Sequence, residues 1–464
     1  MSDSLIVSAS GIRGVFGEGL TPEVAARYGA AFGTLLAAGT ADRTDGYVLV
    51  GRDSRVSGAL LAEAATAGLR GAGMEVRDLG VAPTPTILLA AGDDERAEGA
   101  LIVTASHNPI EWNGLKLAGA DGRFLSREAG LRVQRLYREG STHPRWEGVD
   151  RREPLAGAID HHVERILALP LVAREAIARR RPLVALDCVR GAGGMIMPAL
   201  LRRLGCDVLG LDLEPDGRFP RDPEPTAENL DRLSALVREG SAGVGLAVDP
   251  DADRLSLVDE GGTPIGEDWT LALAVEYVLS VGSGPVVTNL SSSQCIEDAA
   301  ERGGALCLRT AVGEVNVAER MAEIGAVIGG EGNGGVILPR LHLTRDAPLA
   351  AALILSLIAE RERGIGEMLR AWPRYHMVKR RCPRPSASLE TLYRALRHGA
   401  SPGADTDDTD GVWLAWPERR EWVHVRPSGT EPILRVVAEA KSEARAERLA
   451  GWAESVAVGI EGTG

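Results

Sequence analysis

The alternation of apolar and polar positions divides most of the chain into a repeated unit. An apolar strand runs into a polar or glycine-rich turn, an amphipathic helix follows, and a glycine break leads to a second strand. The unit occurs as VLVGRDSRVSG through LLAEAATAGLRGAG to MEVRDLG, as LVALDCVRGAGG through MIMPALLRRLG to CDVLGLDL, and as VVTNLSSSQ through CIEDAAERGG to ALCLRTAVG. Strands alternating with helices of this length predict an α/β protein whose mixed, mostly parallel sheets are covered by helices. The units start at Tyr47, Leu183 and Val286, a spacing too wide for a solenoid and suited to duplication of whole domains. After Pro373 the pattern changes to a strand (HMVKRRC), a helix (LETLYRALRHG), short strands around VWLAWP and WVHVRP, and a final helix, EARAERLAGWAESVA. This predicts a smaller C-terminal α+β domain, so the expected divisions are 1–150, 151–255, 256–370 and 371–464.

A length of 464 residues is too great for one core and agrees with several domains. Lys and Arg total 52 against 65 Asp and Glu, with no basic block, so nucleic acid and anionic membranes are not expected as partners. The five cysteines form no C-x-x-C pair and read as reduced thiols of a cytoplasmic protein. The N-terminus lacks the features of a secretory signal, and the apolar run 347–359 is too short to span a bilayer and predicts a buried helix. The acidic stretch 405–410 lacks the glutamate and flanking helices of a calcium loop and is read as a solvated loop closing in a turn.

Four segments carry chemistry. In ALIVTASHNPIEWNGLKL, Ser106 lies just past an apolar strand, where parallel sheets deliver side chains to a ligand crevice. An Asx or proline turn at His107, Asn108 and Pro109 accounts for the same residues without a ligand. A serine-hydrolase reading fails for want of the G-x-S-x-G elbow, and adjacent residues on an extended chain point to opposite faces. In GLAVDPDADRLSLV a buried-type strand leads into Asp249, Asp251 and Asp253, followed by Arg254. Three carboxylates in so short a loop repel one another unless a cation neutralises them, and oxygen ligands with room for water and phosphate suit magnesium. Aspartates capping their own turn are the alternative. In VHVRPSGTEPILRV, Arg426, Ser428, Gly429, Thr430 and Arg435 supply the forks, hydroxyls and backbone N–H groups that a phosphate dianion requires. In IGGEGNGGVILP, Glu331 and Asn333 are suited to vicinal hydroxyls, although a glycine-rich connector would look the same.

In this order and over nearly the whole chain, the motifs resemble those of the α-D-phosphohexomutase superfamily, which includes phosphoglucomutase/phosphomannomutase and phosphoglucosamine mutase. SASGIRG resembles the family's N-terminal loop, TASHNP its phosphoserine loop, DPDADR its metal loop, GEGNGG its sugar loop and RPSGTEP its phosphate loop. The resemblance implies three similar α/β domains and a C-terminal domain around a central active-site cleft, carrying phosphoserine, metal, sugar and phosphate functions in that order. It implies reversible phosphoryl transfer between the 1- and 6-positions of a hexose phosphate (glucosamine, mannose or glucose). Transfer would pass through phospho-Ser106 and a hexose 1,6-bisphosphate that also serves as activator. Mg²⁺ would be held by Asp249, Asp251, Asp253 and Ser106. Arg13, His107 and Arg254 would support the phosphoserine, and Lys116 would be the general base if nearby cations and burial lower its pKa. Glu331, Asn333, Arg426, Ser428, Gly429, Thr430 and Arg435 would hold the substrate.

Some relatives carry histidines where this chain has Gly335 and Glu314, which shifts acid–base work toward Lys116. Pro250 and Ala252 replace common glycines between the aspartates, and Ala9-Ser10 replaces the usual threonine before GIRG. Three other activities share these motifs: a hexose bisphosphate synthase, a phosphatase, or a non-catalytic sugar-phosphate-binding protein. The expected partner is a small hexose phosphate, and the chain is expected to be a monomer or homodimer.

Overall fold

The computed structural model describes residues 5–8, 11–39, 46–143, 152–428 and 433–460. The first sheet contains β1 (Leu5–Ser8), β2 (Gly11–Val15), β3 (Tyr47–Arg52), β4 (Glu75–Val81), β5 (Ala97–Val103), β6 (Trp112–Gly119) and β7 (Arg152–Pro154), in the order β1-β2-β6-β5-β3-β4-β7. Strand β5 is buried along its whole length, Glu98 included, and β3 along nearly all of it, as expected of parallel strands covered on both faces. β6 returns antiparallel beside β5.

The second sheet joins β8 (Leu183–Asp187), β9 (Asp207–Leu211), β10 (Val244–Val248) and β11 (Leu255–Val258) in the order β11-β10-β8-β9. The third joins β12 (Val286–Asn289), β13 (Cys307–Thr310), β14 (Ile328–Glu331) and β15 (Gly335–Ile337) in the order β13-β12-β14-β15. Each has a parallel body and one antiparallel edge strand, β11 or β15. Because β11 pairs with β10, the second sheet continues to Val258, past the expected division at 255. In all three sheets the chemistry-bearing loop joins a parallel strand to its antiparallel neighbour: β5 to β6, β10 to β11, β14 to β15.

The C-terminal sheet is antiparallel throughout: β16 (His376–Pro383), β17 (Asp405–Asp407), β18 (Val412–Trp416), β19 (Glu421–Pro427) and β20 (Ile433–Ala440), in the order β16-β20-β19-β18-β17. The acidic stretch is therefore partly an edge strand rather than a loop alone, since β17 pairs with β18. Charged residues on such an edge discourage pairing with another chain.

One continuous core serves the second and third units, running from Val163 to Trp372, including the buried helix Ala347–Arg361 and joined by Leu89 of the first unit. The first unit has a core on each face of its sheet, and the C-terminal unit has its own, from Cys382 to Ala457. Asp346 caps the buried helix by accepting from the Leu349 N–H at 2.9 Å, and its other oxygen accepts from His162 and His342, each at 2.8 Å. No helix among the described residues is long and apolar enough to cross a membrane. The five cysteines are free, four of them buried.

Candidate active site

Ser106 stands three residues beyond the end of β5, 1% exposed, with a left-handed backbone (φ 50°). Its N–H donates to Thr104 Oγ1 at 2.9 Å and its hydroxyl to Asp249 Oδ2 at 2.8 Å. The His107 ring lies 3.4 Å from the same hydroxyl through Nδ1. Burial, with Arg254 and Arg13 nearby, pushes the His107 pKa well below the usual imidazole range and keeps the ring neutral. Arg13, on β2, donates to Asn108 Oδ1 at 3.1 Å, and burial beside Arg254 lowers its own pKa.

The three aspartates occupy the turn between β10 and β11 and are fully buried. Asp249 Oδ1 accepts from the N–H groups of Asp253 (3.1 Å) and Arg254 (3.2 Å), which folds the loop around that carboxylate. The first unit reaches the same loop: Thr84 donates from its N–H to the Asp251 carbonyl at 2.9 Å and from its hydroxyl to Asp251 Oδ2 at 2.7 Å. Lys116, from β6, donates to Asp251 Oδ2 at 2.7 Å and Asp253 Oδ2 at 3.2 Å. Arg254 donates to Glu224 Oε1 at 3.0 Å.

The three acids are not perturbed in the same direction. Burial and the two neighbouring carboxylates push the Asp249 pKa well up. Burial acts the same way on Asp251 and Asp253, but Lys116 and Thr84 for the first, and Arg345 and Lys116 for the second, more than offset it and hold both down. The expectation that Lys116 has a lowered pKa fails. Burial does pull it down, but Asp251 and Asp253 raise it further than burial lowers it.

The donor set fits a hard cation. One oxygen from each carboxylate falls within 4.8 Å of the others, all ligands are oxygen, and Asp251 Oδ1 and Asp253 Oδ1 are buried with no hydrogen-bond partner among the described residues. Orphaned buried oxygens are unfavourable unless something else satisfies them.

The glycine-rich loop between β14 and β15 joins this cluster through the backbone. The Leu255 N–H donates to the Gly334 carbonyl at 3.0 Å, and Gly334 (φ 87°) lies so close to the Leu255 carbonyl that a Cβ would collide with it. Glu331 Oε1 accepts from Asn289 Nδ2 (2.9 Å) and the Gly313 N–H (3.1 Å). Asn333 turns inward, its amide 3.4 Å from Glu331 Oε2 and its carbonyl accepting from the Gly335 N–H at 3.2 Å.

Arg345 is the residue the sequence reading missed. Buried, it donates to Asp253 Oδ2 (2.7 Å), Glu331 Oε2 (3.0 Å) and Glu314 Oε2 (3.1 Å), and so links the glycine-rich and acidic loops through one guanidinium. Glu314, where some relatives carry histidine, also accepts from the Arg345 N–H at 2.8 Å and from Thr344 Oγ1.

The C-terminal loop lies between β19 and β20. Gly429 and Thr430 fall outside the described residues, as do Ala9 and Ser10; Ser428 donates from its N–H to the Ile433 carbonyl at 2.9 Å. Arg426 and Arg435 are direct cross-strand partners, and Arg381 on β16 is the partner of Arg435 on the other side. Directly opposed residues project from one face, so three arginines stand in a row across three strands. Like charges in this register repel, and a carboxylate already stands beside them: Asp410 Oδ2 lies 3.5 Å from Arg426 Nε. Arg381 was also missed from sequence, because nothing local marks the register of β16.

Comparison with known proteins gives the arrangement a lineage. The family models described as phosphoglucomutase/phosphomannomutase alpha/beta/alpha domains I, II and III match residues 4–143, 160–262 and 266–375, and the C-terminal domain model matches 377–451. A "Phosphoglucomutase/phosphomannomutase" from Thermococcus kodakarensis is 40% identical over 94% of each chain, and a "Probable phosphoglucosamine mutase" from Methanopyrus kandleri is 38% identical over 95% of each. The crystal structure of a phosphoglucomutase/phosphomannomutase family protein from Burkholderia thailandensis superposes with a TM-score of 0.85 at 28% identity, covering 99% of this chain and 98% of that one. Three α/β units, a fourth C-terminal domain and the order of the loops agree with these matches, and the chain belongs to the α-D-phosphohexomutase superfamily of phosphomutases.

Proposed function

We propose that this protein interconverts hexose 1-phosphate and hexose 6-phosphate, with Ser106 as the phosphoryl carrier. The observation that carries the reading is the Ser106 hydroxyl 2.8 Å from Asp249, with Lys116 bridging Asp251 and Asp253 in the same buried cluster. In the first half-reaction the Ser106 Oγ–P bond breaks as a substrate hydroxyl oxygen bonds to phosphorus; that hydroxyl's proton leaves through Lys116, in the neutral form open to it once Asp251 and Asp253 no longer hold its ammonium, and an equivalent proton returns to the Ser106 oxygen as it leaves. The product is a hexose 1,6-bisphosphate. It reorients, and its other phosphoryl group returns to Ser106.

Asp249, Asp251 and Asp253, with an oxygen of Ser106 or its phosphate, would hold Mg²⁺, which when bound neutralises the crowded carboxylates and the phosphoryl oxygens. Arg13 and Arg254 add positive charge beside the serine, and His107 can donate to or accept from an oxygen there. Glu331 and Asn333 orient sugar hydroxyls. Arg426, Ser428, Gly429, Thr430 and Arg435 grip the phosphate that is not reacting, so binding energy remote from the reacting bond fixes the sugar for attack. The C-terminal unit has a core of its own, which suits a domain that opens to let the bisphosphate turn. We read the enzyme as a cytoplasmic monomer or homodimer.

The test is a panel of glucosamine, mannose and glucose 1-phosphates, assayed for 6-phosphate with Mg²⁺ and a trace of hexose 1,6-bisphosphate, beside intact-mass measurement of Ser106. The expected result is conversion of at least one sugar and one added phosphate, absent in Ser106→Ala. Release of inorganic phosphate in place of isomer would favour the phosphatase reading, and a chain that takes no phosphate would be a binder.

A further inference from the structure

We propose that Arg55, braced by Asp53 and Thr104, is the positioning residue that holds Ser106 in its reactive attitude and ties that attitude to the docking of the second domain. The proposal rests on the role of Ser106 given above. Its starting point is the backbone: the left-handed conformation of Ser106 (φ 50°) is unfavourable for a non-glycine residue and persists only where the surroundings over-determine it.

Arg55 supplies that constraint. Its side chain is fully buried, and each of the five guanidinium N–H groups has an acceptor. Nε donates to Asp53 Oδ2 at 3.0 Å. Nη1 donates to the carbonyls of Pro109 (2.6 Å) and Trp112 (3.0 Å), and Nη2 to those of Ser106 and Asn108, both at 2.6 Å. Four carbonyls of the serine loop thus converge on one planar fork, which a lysine cannot reproduce. With no donor left for a ligand, the role is positioning and not contact with substrate. Asp53 balances the buried charge and accepts the Thr104 hydroxyl at 2.6 Å, and Thr104 in turn accepts the Ser106 N–H at 2.9 Å.

The same turn carries the contact with the second domain. The Phe219 ring lies 5.0 Å from the Arg55 guanidinium, Ser54 Oγ donates to the Arg190 carbonyl at 2.8 Å, and Gly217 (φ 71°) sits so close to the Ser54 carbonyl that a Cβ would collide with it. The second domain also carries Asp249, so one turn sets both partners of the Ser106–Asp249 contact.

Arg55→Lys and the near-isosteric Thr104→Val, each made in the full chain, test this. Melting temperature, kcat, KM and the phosphate on Ser106 after exposure to hexose 1,6-bisphosphate are read for each. The expected result is a fall in kcat of roughly 100-fold for Arg55→Lys and about tenfold for Thr104→Val per folded molecule. KM for the hexose phosphate should stay within about threefold, and phosphate on Ser106 should be reduced in both. If Arg55→Lys does not fold, Thr104→Val decides. A folded variant with unreduced kcat and normal phosphorylation of Ser106 would overturn the brace while leaving the functional reading intact. An unsubstituted chain that takes no phosphate would overturn both.

Discussion

The junction of the first three units and the C-terminal arginine row are both dense in charge, and they differ in how deeply that charge is buried and fixed. At the junction the cations of β6 and of the glycine-rich side meet fixed counter-charges: Lys116 bridges two aspartates and Arg345 spans Asp253, Glu331 and Glu314, all of them buried except the partly exposed Glu314. In the C-terminal sheet Arg381, Arg435 and Arg426 face one another in register, half-buried or exposed. The first arrangement is preorganised, so little reorientation is needed when charge develops. In the second, Arg426 is offset by Asp410, Nε to Oδ2 at 3.5 Å, and the row lies nearer solvent, which suits capture and release of an anion.

The largest expected effect breaks the junction. Lys116→Met should reduce turnover roughly 10³-fold and slow the loading of Ser106 from a bisphosphate without abolishing it, because the phosphoryl carrier remains while proton transfer is lost. It should also cost about 3 kcal/mol or more, since Asp251 and Asp253 lose a buried counter-charge. Denaturation with and without Mg²⁺ checks this: the ion should restore more stability to the variant than to the parent chain, and equal increments would mean that the aspartates are not the ion's ligands. Arg345→Met should follow, lowering kcat about 100-fold as Glu331 and Asp253 lose their shared anchor, with a comparable loss of stability. A variant with normal kcat and only a lower melting temperature would reduce Arg345 to scaffolding.

Legibility from sequence follows the same division. The four loops could be read because each sits at the end of an apolar strand and holds residues with no inexpensive structural use, such as alternate aspartates or a Ser-Gly turn flanked by arginines. Arg55, Arg345 and Arg381 could not. Their partners lie 51 residues away for Arg55 at Ser106 and 92 for Arg345 at Asp253, and strand register decides the neighbours of Arg381. Arg55 had a faint signal in D-S-R directly after a buried strand, where two opposite charges two residues apart must be taken inside together. The Lys116 expectation failed for the same reason. Burial was foreseeable, but the carboxylates that outweigh it are 135 and 137 residues away.

A gentler substitution sharpens the comparison at the arginine row. Arg381→Ala should raise KM for the hexose phosphate about tenfold and leave kcat nearly unchanged, because it removes part of a grip remote from the reacting bond. An unchanged KM would remove Arg381 from the grip and leave Arg426 and Arg435.

The smallest effect concerns how that sheet is fastened to the third unit. Beside the arginines, on the same face of β19, His424 is fully buried. Its Nε2–H donates to the Asp410 carbonyl at 2.6 Å, and its Nδ1 accepts from Ser291 Oγ at 2.9 Å. Burial lowers its pKa from 6.5 to about 4, so the unfolded chain takes up a proton at higher pH than the folded one. Its contribution is therefore fully present above pH 6.5 and is lost as pH falls toward 4, which amounts to about 1 kcal/mol already at pH 5.5. Hydrogen exchange between pH 7 and 5.5 should show weaker protection of the amides around Val423–Val425, with no matching change in β10 of the aspartate loop. His424→Gln should flatten the dependence. Equal loosening of both regions would mean that the proton acts on the whole fold and not on this fastening.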